Sequence, residues 1–487
     1  MFNTFRFVRL QASVVALASV WLMSFVMSAS VADDWPWFLG PSHDGHCVEQ
    51  GLNFDWKNHP PTVLWKKRVG TGYSAPSVVG PNVIFHDRPD RDERVSCFQA
   101  SDGTTLWEKK DPCDYKDPYG YNNGPRCSPV VTGGRCFTLG PDGKLSCRLQ
   151  DDGKVVWQKD LQDEFDIPKW FFGMGCTPIF HDGMLIVFVG GQPNSGVVAF
   201  DANSGSVIWQ HVGRETWQGA ETFVPDKPYT WTGEEMVASY SSPIIATIHG
   251  QQHLLCLMRH GLVSLNPQTG EENFHSWFRA KVHESVNAAR PVVIGNRIFL
   301  SAAYRLGATL LEVRPDGRSV KTVWKNNTLQ AHWSTPIHVD GYLYGFGGRH
   351  ESEGELRCVR VSDGKLMWKT TGFDGDRSSL VKDRATGQLL EKSTMKPVPY
   401  PYFGRGSLTR VGKHFLVLGE RGTLALCQID SSGYQELHRI SFPEISYPAW
   451  TAPVISNGRL YLRSEDWLLC VDFRTKQETS LKSFSLN

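Results

Sequence analysis

The chain has 487 residues, 40% hydrophobic and 21% charged, enough apolar material for a buried core. Lys and Arg number 51 against 50 Asp and Glu, for a net charge of +1. With no long basic run, this excludes the electrostatic footprint of a nucleic-acid-binding protein. Seventeen Trp and 46 Gly beside nine Met favour strands and turns over helical bundles.

Residues 1–32 read as an export leader. Arg6 and Arg9 precede an apolar run, and Ser30-Val31-Ala32 supplies the small residues that a signal peptidase reads. An uncleaved anchor is the rival reading. No Cys lies in or just after the run, so no lipid anchor is expected. No later segment has about 20 apolar residues, so no transmembrane segment is expected after cleavage. A lead segment (33–61), a repeat region (62–473) and a tail (474–487) follow.

The repeat region opens strand after strand on a small-x-Pro pattern. The openings are SAPSVV (74–79), CSPVVT (127–132), CTPIFH (176–181), SSPIIA (241–246), ARPVVI (289–294), STPIHV (334–339) and TAPVIS (451–456). GSLTRV (406–411) is a member without the proline. A spacing of about 50 residues is that of a propeller or another repeat array.

Each unit ends in a tight hairpin and a Trp-bearing strand, as in CFQASDGTTLW (97–107), CRLQDDGKVVW (147–157), AFDANSGSVIW (199–209) and CVRVSDGKLMW (358–368). Trp107, Trp157, Trp209 and Trp368 fall in one column. Trp324 joins it through a longer hairpin, and Phe274 and Leu437 are weaker members. The last unit lacks its fourth strand, which TVLWKKRVG (62–70) supplies with Trp65 in the column. The expectation is an all-β, eight-bladed β-propeller, its ring closed by the N-terminal strand.

Six residues before each hairpin glycine stand Cys97, Cys147, Ala199, Ser264, Leu311, Cys358 and Cys427, with Cys470 as the eighth. This column wants small buried residues. Two pairs are placed to form disulfides: Cys136 with Cys147 across a hairpin, and Cys127 with Cys176 at adjacent strand openings.

The Gly-x-x-x-Trp pattern resembles the tryptophan-docking repeat of the PQQ-like eight-bladed propellers. That family includes quinoprotein alcohol dehydrogenases and the noncatalytic outer-membrane assembly propeller BamB. WPWFLGPSHDG (35–45) and PPTVLWKKRVGTGYSAP (60–76) are similar to exported planctomycete proteins of this kind. The resemblance covers about residues 35–473 and implies fold more than activity.

The enzymes' adjacent cysteines and their C-x-x-C-H haem motif are absent from this sequence. In a dehydrogenase reading, PQQ and Ca²⁺ are the implied cofactors, and Glu284 and Asn287 are the residues proposed toward them. Otherwise no cofactor or metal is expected. The lipoprotein Cys of BamB is missing.

The residues just before the strand openings would ring the channel mouth. They are Tyr73, Arg126, Gly175, Tyr240, Ala288, Trp333, Arg405 and Trp450, with His332 beside Trp333 and Asn287 beside Ala288. Long aromatic loops (111–126, 167–175, 213–240 and 396–406) feed the same face. These residues either plug the channel or bind a partner. As a binding mouth, Arg126 and Arg405 would meet carboxylates, while Trp333, Trp450 and Tyr240 would stack on a planar or sugar-like group. Ser334 belongs to the repeat column, which argues against a Ser–His nucleophile.

DRPDRDERV (87–95) reads as a solvated strand–strand loop, and 372–395 as a surface excursion. The reading favoured is an exported, periplasmic or extracellular noncatalytic scaffold with a protein or carbohydrate-like partner. The alternative is a PQQ- and Ca²⁺-dependent alcohol or sugar dehydrogenase.

Overall fold

The computed structural model describes residues 34–475 apart from 169–170, 219–220, 225–226, 231–234, 283 and 387. The leader expected over residues 1–32 and most of the tail lie outside the described residues.

Eight four-stranded antiparallel blades follow one another in chain order. The first runs from its inner strand Ser77–Val79 through Asn82–Asp87 and Asp92–Gln99 to its outer strand Thr105–Pro112. The next six occupy residues 130–160, 179–211, 244–277, 292–326, 337–370 and 407–441. The eighth takes Val454–Ser456, Arg459–Arg463 and Trp467–Asp472, and its outer strand is Thr62–Arg68, antiparallel to Trp467–Asp472. The N-terminal strand therefore closes the ring, as the sequence predicts.

Burial follows blade position. In the third blade every residue of the second strand, Met184–Gly191, is buried, because neighbouring blades cover both faces of the sheet. Outer strands such as Thr105–Pro112 alternate instead, one face to the next blade and one to water.

The tryptophan column joins the blades. The indole N–H of Trp65 donates to Ala100 O, Trp107 to Gln150 O, Trp157 to Ala202 O and Trp209 to Pro267 O, at 2.8–3.1 Å. Trp324 donates to Val361 O at 2.7 Å and Trp368 to Asp430 O at 2.8 Å. Each acceptor lies at the hairpin of the following blade. The hairpin glycine covers the ring: at Gly153, with φ +70°, a Cβ would come within 2.6 Å of the Trp107 ring. Glycine thus serves both the turn and the close approach.

Small residues stand directly opposite these rings, Cys97 across from Trp107, Cys147 from Trp157, Ala199 from Trp209, Cys358 from Trp368 and Cys470 from Trp65. Two units shift the register by one. The longer hairpin of the fifth blade puts Leu310, not Leu311, opposite Trp324. In the seventh, Leu437 sits at the β-bulge and is exposed, so His438 takes the column position and meets Trp56 edge-on.

The lead segment packs against several blades. Trp35 exchanges backbone hydrogen bonds with Val78, and Pro36 O accepts from Val131 N. Arg290 donates to His43 O, and His46–Cys47 adds a parallel strand to the inner strand of the seventh blade. Trp56 is fully buried against Phe473.

Two expectations are corrected. Cys127, Cys176, Cys136 and Cys147 are all buried thiols with no disulfide among them. Cys127 Sγ donates to the Cys176 carbonyl, and the cross-strand partner of Cys136 is Arg148 while that of Cys147 is Phe137, so the second pair points to opposite sheet faces. DRPDRDERV is not a solvated loop. Asp87 is fully buried, accepting from Gly70 N and from Arg94. Arg88 is buried too, donating to the carbonyls of Cys113, Tyr115 and Asn123. Asp87 is paired with Arg94, Glu93 with His86, and Arg88 with backbone carbonyls, which lets the two ends of the segment sit inside while its tip, Asp90-Arg91, stays exposed. The excursion at 372–395 contains a small hairpin, Leu380–Lys382 with Leu389–Glu391.

Trp107→Ala should cost about 3–5 kcal/mol, as large aromatic truncations do, and Gly153→Ala should be destabilising in the same blade pair. Denaturant melts of both variants check this. Wild-type stability in either would contradict the proposed joint.

Candidate functional site

Strand openings deliver one residue per blade to the mouth, and the structure brings most of the expected ones into a continuous chain of contacts. Tyr73 packs on Trp450 with ring centroids 4.9 Å apart, and Trp450 on Trp333 at 4.9 Å. The Arg405 guanidinium lies over both tryptophans, 4.7 Å from one centroid and 4.9 Å from the other. Trp333 touches His332, whose Nε2 is 3.2 Å from the Tyr304 hydroxyl. On the other side of Tyr73, Arg126 lies over its ring at 5.8 Å. Tyr240 packs against Gly175, where a Cβ would come within 2.7 Å of its ring, and its hydroxyl accepts from Phe172 N. These ring members are half-buried.

Sequence reasoning missed the groups that hold this floor. Glu420 is fully buried and accepts from Arg405 Nη2 at 2.8 Å, from Arg405 N at 2.8 Å and from Trp450 Nε1 at 3.0 Å. Asp117 plays the same part for Arg126 at 2.8 Å. Both arginines expected to meet a partner's carboxylates are thus engaged by carboxylates of the chain itself. Neither acid stands at a repeat position, so no periodicity marks it.

Asn287 is buried below the ring. Its amide nitrogen donates to the carbonyls of Met258 and Phe278, and its own carbonyl accepts from Tyr240 N. Glu284 is exposed. Ca²⁺ takes six to eight oxygen ligands, and this pair does not offer the start of such a shell. The aromatic planes are tilted 45–47° and packed on one another, which leaves no parallel slot for a flat quinone between them. The residues first proposed toward PQQ and Ca²⁺ therefore do not fit that pair.

Above the floor stands a rim of exposed tyrosines: Tyr119 at 51%, Tyr121 at 62% and Tyr447 at 46% exposure. Tyr119 and Tyr121 lean on Phe172, and Tyr447 meets both Trp450 and the Arg421 guanidinium. Arg421 is paired with Glu351. Arg349, over Tyr304 at 4.6 Å, is exposed and makes no ion pair among the described residues.

Burial first, then Arg405 and Arg349, push the His332 ring down to about 3. The fold favours the neutral ring. This contribution to stability is complete above pH 6.5 and is lost as pH falls from there toward 3. His332→Asn should flatten the acid limb of the stability–pH curve, measured by melting temperature. Glu420→Gln leaves Arg405 facing a neutral amide and should cost about 3–5 kcal/mol, with a shift in tryptophan emission as the Trp333–Trp450 stack loosens.

Among the described residues no helix is long and apolar enough to cross a membrane. Comparison with known proteins agrees on the architecture. BamB from Moraxella catarrhalis superposes with a TM-score of 0.52 at 14% identity, over 86% of this chain and 99% of that one. The quinohemoprotein alcohol dehydrogenase of Comamonas testosteroni superposes with a TM-score of 0.60 at 12% identity, over 91% and 81%. A curated relative named "Putative dehydrogenase XoxF", from Paracoccus denitrificans, is 26% identical over 165 residues, 32% of this chain and 24% of that protein's length. The family model described as "Outer membrane protein assembly factor BamB" matches residues 91–370. That match spans more than half of the chain, and the protein belongs to this family of PQQ-like repeat, eight-bladed propellers.

Proposed function

We propose that this protein is an exported, noncatalytic scaffold whose mouth engages a protein partner. The observation that carries the reading is the rim of exposed tyrosines over a fixed aromatic–arginine floor. Tyr, Trp and Arg are the residue types that dominate binding energy at protein interfaces. A floor already ordered by Glu420 and Asp117 loses little side-chain freedom on association. Arg349 is the cation left for a partner's carboxylate. The description of the matched family as an assembly factor and the likeness to BamB support a protein partner over a sugar. Export rests on the leader at residues 1–32.

The dehydrogenase reading has its own support, in the fold shared with a quinohemoprotein alcohol dehydrogenase and the partial match to a dehydrogenase sequence. The poor fit of Glu284 and Asn287 to a calcium–quinone pair weighs against it.

Photo-crosslinking residues placed at 121 and 447 should capture one common protein in cells. Tyr121→Ala with Tyr447→Ala should weaken that capture at least tenfold, with an unchanged melting temperature. Incubation with PQQ and Ca²⁺ should give no dye reduction with alcohols or aldoses. Turnover in that assay would overturn the scaffold reading.

A further inference from the structure

The first two blades carry a second cluster, on the mouth-side turns but outside the channel ring. Among the described residues, Glu93, Cys113 and Asp142 are the group whose carboxylate oxygens and thiol sulfur lie within 4.8 Å of one another. Three separate elements bring them together. Glu93 starts the third strand of the first blade, Asp92–Gln99, and Cys113 follows that blade's outer strand. Asp142 sits in the Gly140–Gly143 turn of the second blade, where its side chain accepts from Lys144 N.

Two independent observations point into the space between them. Glu93 is only 4% exposed, yet its Oε1 has no hydrogen-bond partner. Its other oxygen, Oε2, is held by His86 Nε2 at 3.0 Å, which fixes the orientation of the carboxylate. The second observation is the close approach at Gly140. A Cβ there would lie 2.5 and 2.6 Å from the two Glu93 oxygens and 2.8 Å from Asp142 Oδ1, so the absence of a side chain lets both carboxylates converge on one point against the backbone. A buried unpaired acceptor costs free energy that a ligand at this place would offset.

We propose that Glu93, Cys113 and Asp142 form a binding site for one divalent cation of the zinc class, joining the first two blades. A thiolate with two carboxylates is a small, mixed donor set. It suits a four-coordinate, borderline-soft ion and not Ca²⁺, which takes an all-oxygen shell of six or more ligands. His86 belongs to the supporting shell, as groups that orient a ligating carboxylate do. Binding displaces the Cys113 proton to solvent: the S–H bond breaks, the sulfur–metal bond forms, and no electrons are exchanged. The site is independent of the scaffold reading, since it lies outside the mouth ring.

Cobalt(II) chloride titrated into the purified, chelator-stripped chain tests this. The expected result is saturation at one Co²⁺ per chain, with a thiolate-to-cobalt charge-transfer band that Zn²⁺ bleaches. Cys113→Ser should remove the band, and Gly140→Ala, whose methyl would push the Glu93 and Asp142 carboxylates aside, should weaken binding at least tenfold. A wild-type chain without a one-to-one spectral change would overturn the proposal, whatever the variants do. So would an unchanged band in a folded Cys113→Ser protein.

Discussion

The contact on which the molecule depends is an indole clamped between a small residue of its own blade and a hairpin glycine of the next. Cys97 backs Trp107, Gly153 covers it, and Gln150 takes its N–H. The apolar ring supplies the adhesion between blades, and the single hydrogen bond fixes how far one sheet slides past another. Trp65, Trp157 and Trp209 repeat the joint under Gly103, Gly205 and Gly270; Trp324 keeps its covering glycine, Gly364, but faces Leu310, and Trp368 keeps only the hydrogen bond and the small residue opposite. Held blade to blade in this way, the strand openings bring Tyr73, Trp333 and Trp450 close enough to pack on one another.

Floor and rim of the mouth do different physical work. In the floor each cation has its own internal anion, and the rings are held at fixed tilts. Such a surface is stiff and offers little net charge. The rim is the reverse: tyrosines with one face on a neighbour and the other in water, and an arginine lacking a carboxylate partner among the described residues. Stiff support beneath adaptable contacts is the arrangement that binds without paying heavily in lost motion.

The blades were legible in the sequence because several place their turn glycine, small residue and indole at constant spacing, and spacing is what a chain displays directly. The same reading failed where two blades altered the count by a residue. The longer hairpins before Trp324 and His438 each moved the column by one, which a fixed offset cannot follow. The mouth was half legible. The ring residues follow from the strand openings, but Glu420 and Asp117 come from turns and loops with no period. Charged residues were the hardest to place. Asp87, Arg88 and Glu93 looked like water-facing loop residues and are interior, because Arg94 and His86 meet the two acids across the same hairpin and the backbone carbonyls of the 111–126 loop take up Arg88. Sign alternation does not separate a solvated run from a paired and buried one.

The closing strand also orders events in time. Residues 62–68 are made long before their partners at 467–472, and the strand at 46–47 waits for 410–411. These pairings join residues far apart in sequence, and contacts of that kind form late and slowly. Until they form, the first blade has no neighbour on one side and the eighth has an open edge, the condition in which sheets join to other chains. A chain that begins and ends its ring in the same blade must therefore be kept apart from its fellows until residues 467–472 have been made.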